Sequence, residues 1–234
     1  MIVRHGAPLR EQAVEEIRAH IVDGTYLPGV RLKEKDLCET YEVSRTVIRE
    51  TLRQLESERL VRIEPNVGPI VCVLSRSEVK DLYQTREILE ATAARLAASA
   101  ASAAQVLELE GICDEIALAD HADLQRLIVM KNRFYDALMA ASGNKVIAEM
   151  LQNIQARISQ LRRLTLGSPG RHEQTVQELA KVVQAIKDRD ADAAFGATVA
   201  HVKSAAEIAM RHFDGTPLLP GAFAHSTTST KEIP

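Results

Sequence analysis

The sequence predicts a mainly α fold, with an N-terminal winged helix-turn-helix followed by a C-terminal all-α six-helix antiparallel bundle. Three observations carry this. The first third holds three short amphipathic segments, then two β-branched runs around a Pro-Asn-Val-Gly turn. From residue 77 to residue 212 only helical periodicity is found. The composition, rich in Ala and Leu, with 3% aromatic residues and no Trp, favours helices over a β-rich core.

Residues 9–22 place Val14, Ile17, His20 and Ile21 at three- and four-residue steps, which predicts an amphipathic helix ended by Asp23-Gly24. Pro28-Gly29 is a turn, because proline fixes φ and glycine permits positive φ. A short helix over 34–41 follows. After Glu42-Val43 a second begins, 44–57, with Ser44 as N-cap and Ile48, Leu52 and Leu55 facing inward. Two helices joined by so tight a turn make a helix-turn-helix candidate. Residues 60–64 and 69–74 read as strands with the turn 65–68 between them, the shape of a wing. The remaining helices are expected at 77–100, 103–119, 122–142, 144–166, 172–188 and 190–212, enough to bury a common core. The expected organisation is therefore 1–75 for the winged unit, 76–213 for the helical unit, and 214–234 as a disordered tail rich in Gly, Pro, Ser and Thr.

Bulk charge gives no support to nucleic-acid binding. Residues 1–75 hold 11 Lys/Arg against 12 Asp/Glu, a net of −1. Only the placement of basic residues can carry such a function. Cys38, Cys72 and Cys113 are far apart and form no CxxC pair, as expected of reduced thiols in a cytoplasmic protein. No apolar segment reaches the length of a membrane span.

Arg45 and Arg49 stand four apart and share one helix face, while Ile48, Leu52 and Leu55 occupy another. Ser44 and Thr46 lie beside Arg45 at the helix start. An exposed N-terminal turn bearing Arg, Thr and Arg is what a recognition helix needs, because Arg can grip a guanine edge with two hydrogen bonds or pair with a phosphate. An arginine pair at this spacing is more often a solvated surface. The cap, the tight turn, the apolar inner face and the wing, arriving in this order, favour DNA.

The run PGVRLKEKDLCETYEVSRTVIRETLRQLESERLVRIEPNVG resembles the winged helix-turn-helix of the GntR family of transcription regulators. The matching points include Pro28-Gly29, Val43-Ser44-Arg45, Arg49-Glu50, Leu60-Val61 and Gly68. The resemblance implies that Arg45, Arg49 and Gly68 face DNA, with Ser44, Thr46, Arg31, Lys35 and Asn66 as weaker candidates. Two departures stand out, Glu42 and Arg59, at positions where the family often has glycine.

The segment DLYQTREILE, 81–90, opens a region that resembles the FadR-like, or FCD, domain of the same family. The similarity continues through Phe134, Gly143-Asn144, Ala185-Ile186, Asp190 and His201. Many such domains bind a divalent metal through one Asp and three His, and the effector's carboxylate then takes the open metal positions. Aligned on this sequence, the Asp position is Lys131, the first His is Tyr135 and the second is Leu179; His201 alone remains. No metal and no other cofactor is expected, because a lone imidazole beside an ammonium group makes a poor Zn²⁺ site. His172 and Glu173 fall six residues too early to substitute simply.

The replacements point instead to an organic anion held by Arg86, Lys131, Tyr135 and His201. The plainer alternatives are a solvated Lys131, a core His201, and Arg86 as a structural partner of Glu90. The functional expectation is a homodimeric operator-binding regulator, commonly a repressor, whose helical domain senses a small organic acid. The rivals are a dimerisation or interaction module without effector, and a helical enzyme. No Ser-His-Asp arrangement, phosphate loop or HExxH motif is present, so no catalytic residue is assigned.

Overall fold

The computed structural model describes residues 8–213. The chain runs α1 (Leu9–Val22), α2 (Glu34–Tyr41), α3 (Arg45–Ser57), β1 (Val61–Glu64), β2 (Gly68–Val71), α4 (Arg76–Ala100), α5 (Ala103–Leu118), α6 (Leu124–Ser142), α7 (Lys145–Gln152), α8 (Gln155–Leu166), α9 (Arg171–Lys187) and α10 (Ala191–Phe213). The expected tail, 214–234, lies outside the described residues.

The helices start where side-chain oxygens can take free backbone N–H groups. Ser44 accepts from the Val47 N–H at the start of α3. Ser75 with Glu78, and Ser102 with Gln105, form capping boxes on α4 and α5. Asp123 caps α6 and Asn144 caps α7. Gly143 ends α6 in the left-handed region.

α1, α2, α3 and the hairpin share one apolar cluster that includes Val14, Ile17, Ile21, Ile48, Leu52, Leu55, Leu60 and Val71. His20, expected on the apolar face of α1, is only half-buried. Its Nδ1 lies 2.6 Å from the Tyr41 hydroxyl, which lies 3.0 Å from that of Tyr26. β1 and β2 pair antiparallel, with Val61 opposite Val71 and Glu64 opposite Gly68. A bridge from Arg31 to Ile70 ties the preceding loop to the wing. β2 stops at Val71, short of the expected residue 74. Cys72 still donates to the Leu60 carbonyl, but beyond Leu60 the opposing chain has turned back toward α3 and offers no further partner.

α4 to α10 form the helical unit. Its principal apolar cluster is drawn from α4, α5, α6, α7, α8, α9 and α10, with Leu109, Leu127, Phe134, Leu138 and Ile186 among its members. A second cluster joins α4, α8 and α10 through Val79, Leu82, Leu161 and Val202. This unit has seven helices, not the expected six. The stretch predicted as one helix, 144–166, breaks at Asn153-Ile154 into α7 and α8. Ile154, at φ −114° and ψ 0°, bonds back three residues to Leu151 instead of four and so ends the regular ladder. It packs against both apolar clusters, so side-chain burial overrides an unbroken helical period.

The two departures from glycine are structural. Glu42 and Arg59 adopt φ of 54° and 59°, a region in which a side chain costs roughly 1–2 kcal/mol. Glu42 ends α2 in this conformation and so makes the tight turn between α2 and α3. Replacing it by glycine removes the steric penalty and adds unfolded-chain entropy. Glu42→Gly is therefore expected to stabilise the protein by about 0.5–1 kcal/mol, read from the urea midpoint. An unchanged or lower midpoint would count against this account of the turn.

Candidate DNA interface and buried cationic site

α3 buries Ile48, Thr51, Leu52 and Leu55 and leaves Ser44, Arg45, Thr46 and Arg49 exposed. The Arg49 Nε donates to both carboxylate oxygens of Glu34 at the start of α2, 3.1 and 3.0 Å away. This contact was not foreseen, because nothing in the local pattern links α2 to that face. Asn66 sits at the wing tip with φ 63° and Gly68 follows with φ 103°. A Cβ on Gly68 would lie 3.8 Å from the Arg31 guanidinium, so Arg31 is gathered to the wing. Lys35 is exposed and lies near Glu39, with its Nζ 3.7 Å from the carboxylate.

The four residues expected to meet an effector converge inside the helical unit. Arg86 from α4, Lys131 and Tyr135 from α6 and His201 from α10 are all buried. Lys131 Nζ lies 2.9 Å from His201 Nε2 and 5.2 Å from the centre of the Tyr135 ring. Arg86 forms a two-point ion pair with Glu90, at 2.8 and 3.3 Å, so the plainer expectation for this arginine is also met. Lys131 is buried and so is not the solvated residue of the plainer reading, whereas His201 is the hydrogen-bonded core histidine that this reading expected.

Three more residues complete the cluster, and sequence reasoning missed them. Arg171 donates to Glu178 at 3.0 Å, and the other Glu178 oxygen lies 2.5 Å from His201 Nδ1. With Glu178 ionised, Nδ1–H donates to it, and Nε2 is left to accept from Lys131. Arg162 of α8 lies against the Tyr135 ring, 4.4 Å from its centre, and donates to Asn132. Signals for two of the three were present. Arg171 is the first residue of α9, where the helix dipole disfavours a cation. Arg162 shares the inward face of α8 with Ile158, Leu161, Thr165 and Leu166.

Arg86, Lys131, Arg162, Arg171, Thr175 and His201 line a small chamber of about 10 Å³. Two of its cations have carboxylate partners, Arg86 on Glu90 and Arg171 on Glu178. Burial, together with the charges of Arg162, Arg171 and Arg86, pulls the Lys131 amine well below its ordinary range. Burial and Lys131 likewise push His201 down. Burial raises the Glu178 carboxyl, but hydrogen bonds from His201 and Arg171 outweigh it and hold it at about 2. Arg162 is different. It is 3% exposed, and its Nε and one terminal nitrogen have no hydrogen-bond partner; nor has the hydroxyl of Thr175. A buried guanidinium with two idle donor atoms is costly unless an anion reaches it.

The donor set does not fit the divalent metal that the family resemblance implies. An ammonium group occupies the side of His201 that would have to ligate, and three guanidinium groups surround it. Glu173 is exposed, and no group of three His, Cys, Asp or Glu among the described residues stands close enough to share an ion.

Comparison with known proteins agrees with this geometry. Residues 9–71 match the description "Bacterial regulatory proteins, gntR family", and residues 81–204 match "FCD domain". The chain belongs to the gntR family, in its FCD-domain branch. It is a DNA-binding transcription regulator. It is 26% identical over 196 residues to the HTH-type transcriptional regulator YdhC of Bacillus subtilis, covering 83% of this chain and 88% of that one. It is also 26% identical over 219 residues to the galactonate operon transcriptional repressor of Escherichia coli, covering 83% and 93%. Among solved structures, E. coli McbR/YncC superposes with a TM-score of 0.78 at 19% identity, covering 89% of this chain and all of the other, a likeness of fold. No helix among the described residues is long and apolar enough to cross a membrane.

The Glu178 pairing gives a pH signature. A carboxyl held below its ordinary 4.5 stabilises the fold above that pH, and the contribution is lost as pH falls toward the folded value. Glu178→Gln is expected to cost roughly 3 kcal/mol at pH 7, because it leaves Arg171 with no anion. Urea unfolding at pH 7 and at pH 4 should show the gap to the unaltered protein narrowing at the lower pH.

Proposed function

We propose that the protein is a homodimeric, metal-independent repressor in the cytoplasm, released or reset by a small organic anion bound in the helical unit. Residues 1–75 form the operator-reading unit and residues 76–213 the sensing and dimerising unit. The observation that carries the sensing half is Arg162, buried beside Lys131, Tyr135 and His201 with idle donors facing the chamber. A module used only for dimerisation has no need of that cost. The repressor mode is supported by relatives that carry that name.

On DNA, two copies of α3 present Arg45 and Arg49 to successive major-groove faces, with Ser44 and Thr46 at the helix start on nearby phosphates or base edges. The wing brings Asn66, Gly68 and Arg31 to the backbone, and Lys35 adds a peripheral phosphate contact. Anion binding shifts the placement of the two DNA-reading units only in so far as the anion prefers one placement over the other. No residue is assigned to catalysis.

Operator affinity measures the first half. On a duplex selected from random sequence by the protein itself, Arg45→Ala and Arg49→Ala should each weaken binding about 10- to 100-fold. Unchanged affinity in both would remove α3 from its assigned role. Elemental analysis of protein purified without chelator and without a histidine tag measures the second. No stoichiometric Zn²⁺, Ni²⁺ or Mn²⁺ is expected, and one metal per chain would overturn the metal-independent reading.

A further inference from the structure

The chamber at Arg162 is about 10 Å³, room for about one water-sized group. A carboxylate oxygen can reach it, but the body of an organic acid cannot. A second cavity, of about 340 Å³ and partly open to solvent, lies against the same cluster, between the C-terminal part of α6, α7 and the start of α8. That volume lies within the range of small-molecule sites.

The two spaces share a wall. Glu90 and Tyr135 both line the larger cavity. Glu90 is also the ion-pair partner of Arg86, which lines the chamber. The Tyr135 ring lies 4.4 Å from Arg162, 5.2 Å from Lys131 and 5.8 Å from Arg86, all three of them chamber residues. The partition is therefore one aromatic side chain and one carboxylate. Beyond it the wall is largely apolar, with Met139, Ala140, Ala148 and Leu151.

Charge limits what fits. In the chamber Arg86 and Arg171 are already neutralised by Glu90 and Glu178, and the amine of Lys131 is driven toward its uncharged form, which leaves Arg162 as the cation to be balanced. That calls for a single negative charge. The larger cavity is lined by Glu90, already paired with Arg86, and by Asp136 and Lys145, so it offers no surplus positive charge to a second carboxylate on the body of the ligand.

We propose that the two cavities are one bipartite site for a monocarboxylic acid with a compact, uncharged, apolar body, aromatic or branched. The carboxylate takes the idle donors of Arg162 and Thr175 together with Lys131. The body packs on Met139, Ala148 and Leu151, and the Tyr135 ring moves aside to join the two spaces. This rests on the reading of the helical unit as an anion sensor and goes further by naming which anion.

Calorimetric titration of the full-length protein with acetate, phenylacetate, isovalerate and uncharged 2-phenylethanol tests it. Phenylacetate or isovalerate should bind at least about tenfold more tightly than acetate, and 2-phenylethanol more weakly than phenylacetate. Ala148→Phe fills the larger cavity and should bring the larger acids down to the acetate level while sparing acetate. Arg162→Met removes the charge at similar volume and should abolish binding of every acid. Far-UV circular dichroism and the melting temperature of each variant report folding, and Ala148→Leu serves if the phenylalanine variant does not fold.

If all three acids bind alike, and alike in Ala148→Phe, while Arg162→Met removes them, the anion sensor stands and the bipartite site is wrong. If the larger acids bind undiminished to Arg162→Met, the carboxylate does not use this chamber and the proposal is overturned. If no acid binds, the sensor reading and the bipartite site both fail.

Discussion

A guanidinium group can be dehydrated only where something else takes over the work of water. In the helical unit, Arg86 and Arg171 meet that condition through carboxylates on α4 and α9. Arg162 does not. It keeps an amide oxygen from Asn132 and the face of the Tyr135 ring, and two of its nitrogens remain without a partner. The surrounding helices are held in place by the apolar clusters, so they can carry this cost without unfolding. The charges crowd on one another around Arg162: burial and the guanidinium groups, its own among them, drive Lys131 toward neutrality, burial and Lys131 push His201 down, and hydrogen bonds from His201 and Arg171 depress Glu178. Each is a response of one side chain to too much positive charge in too little water.

Arg162 also connects this interior to the DNA-reading half. Its partner Asn132 is shared with Ser159, 3.1 Å away. Both line a cleft of about 680 Å³ whose opposite wall is made by Arg18 of α1 and by Gln54 and Glu58 at the end of α3. Arg18 clamps Glu58 at 2.7 and 2.8 Å, which ties α1 to the C-terminal end of the recognition helix. An anion that draws the Arg162 guanidinium toward the chamber competes with Asn132 for it. The residue that would register the anion is thus one hydrogen bond from the surface on which the two units meet. A shift there changes DNA affinity only through a difference in anion affinity between the two placements.

The elements of the fold were legible in the sequence wherever a local rule governs them. Ser44, Ser75 and Ser102 cap helices, Gly143 ends one, and Ile48, Leu52 and Leu55 recur at helical steps. The break at Asn153-Ile154 was not legible, because Ile154 leaves the helix to satisfy two apolar clusters built from distant residues. The same division runs through the buried site. Lys131, Tyr135 and His201 were found by their position in a family pattern, and Arg86 by its place on the first helix of the region that carries it. Arg162 and Arg171 come from helices far along the chain, and only their awkward local settings marked them: one on an inward helix face, the other at a helix N-terminus. A charge where local physics does not want one is a signal that periodicity reading passes over.

Awkward placement also accounts for DNA binding by a unit whose net charge is slightly negative. Affinity depends on the charges that reach phosphate and base, and the net sum matters less. On α3 the apolar positions fix the helix in rotation, so that Arg45, Thr46 and Arg49 have no inward contact to make and stay exposed. Glu34 holds Arg49 in place in the free protein, but the pair is solvent-exposed, and such pairs contribute at most about 1 kcal/mol. A phosphate or a guanine edge offers Arg49 a second hydrogen-bonding partner at little net cost. An acidic residue beside Arg49 is therefore no obstacle to DNA binding by this unit, because the exposed pair costs little to open.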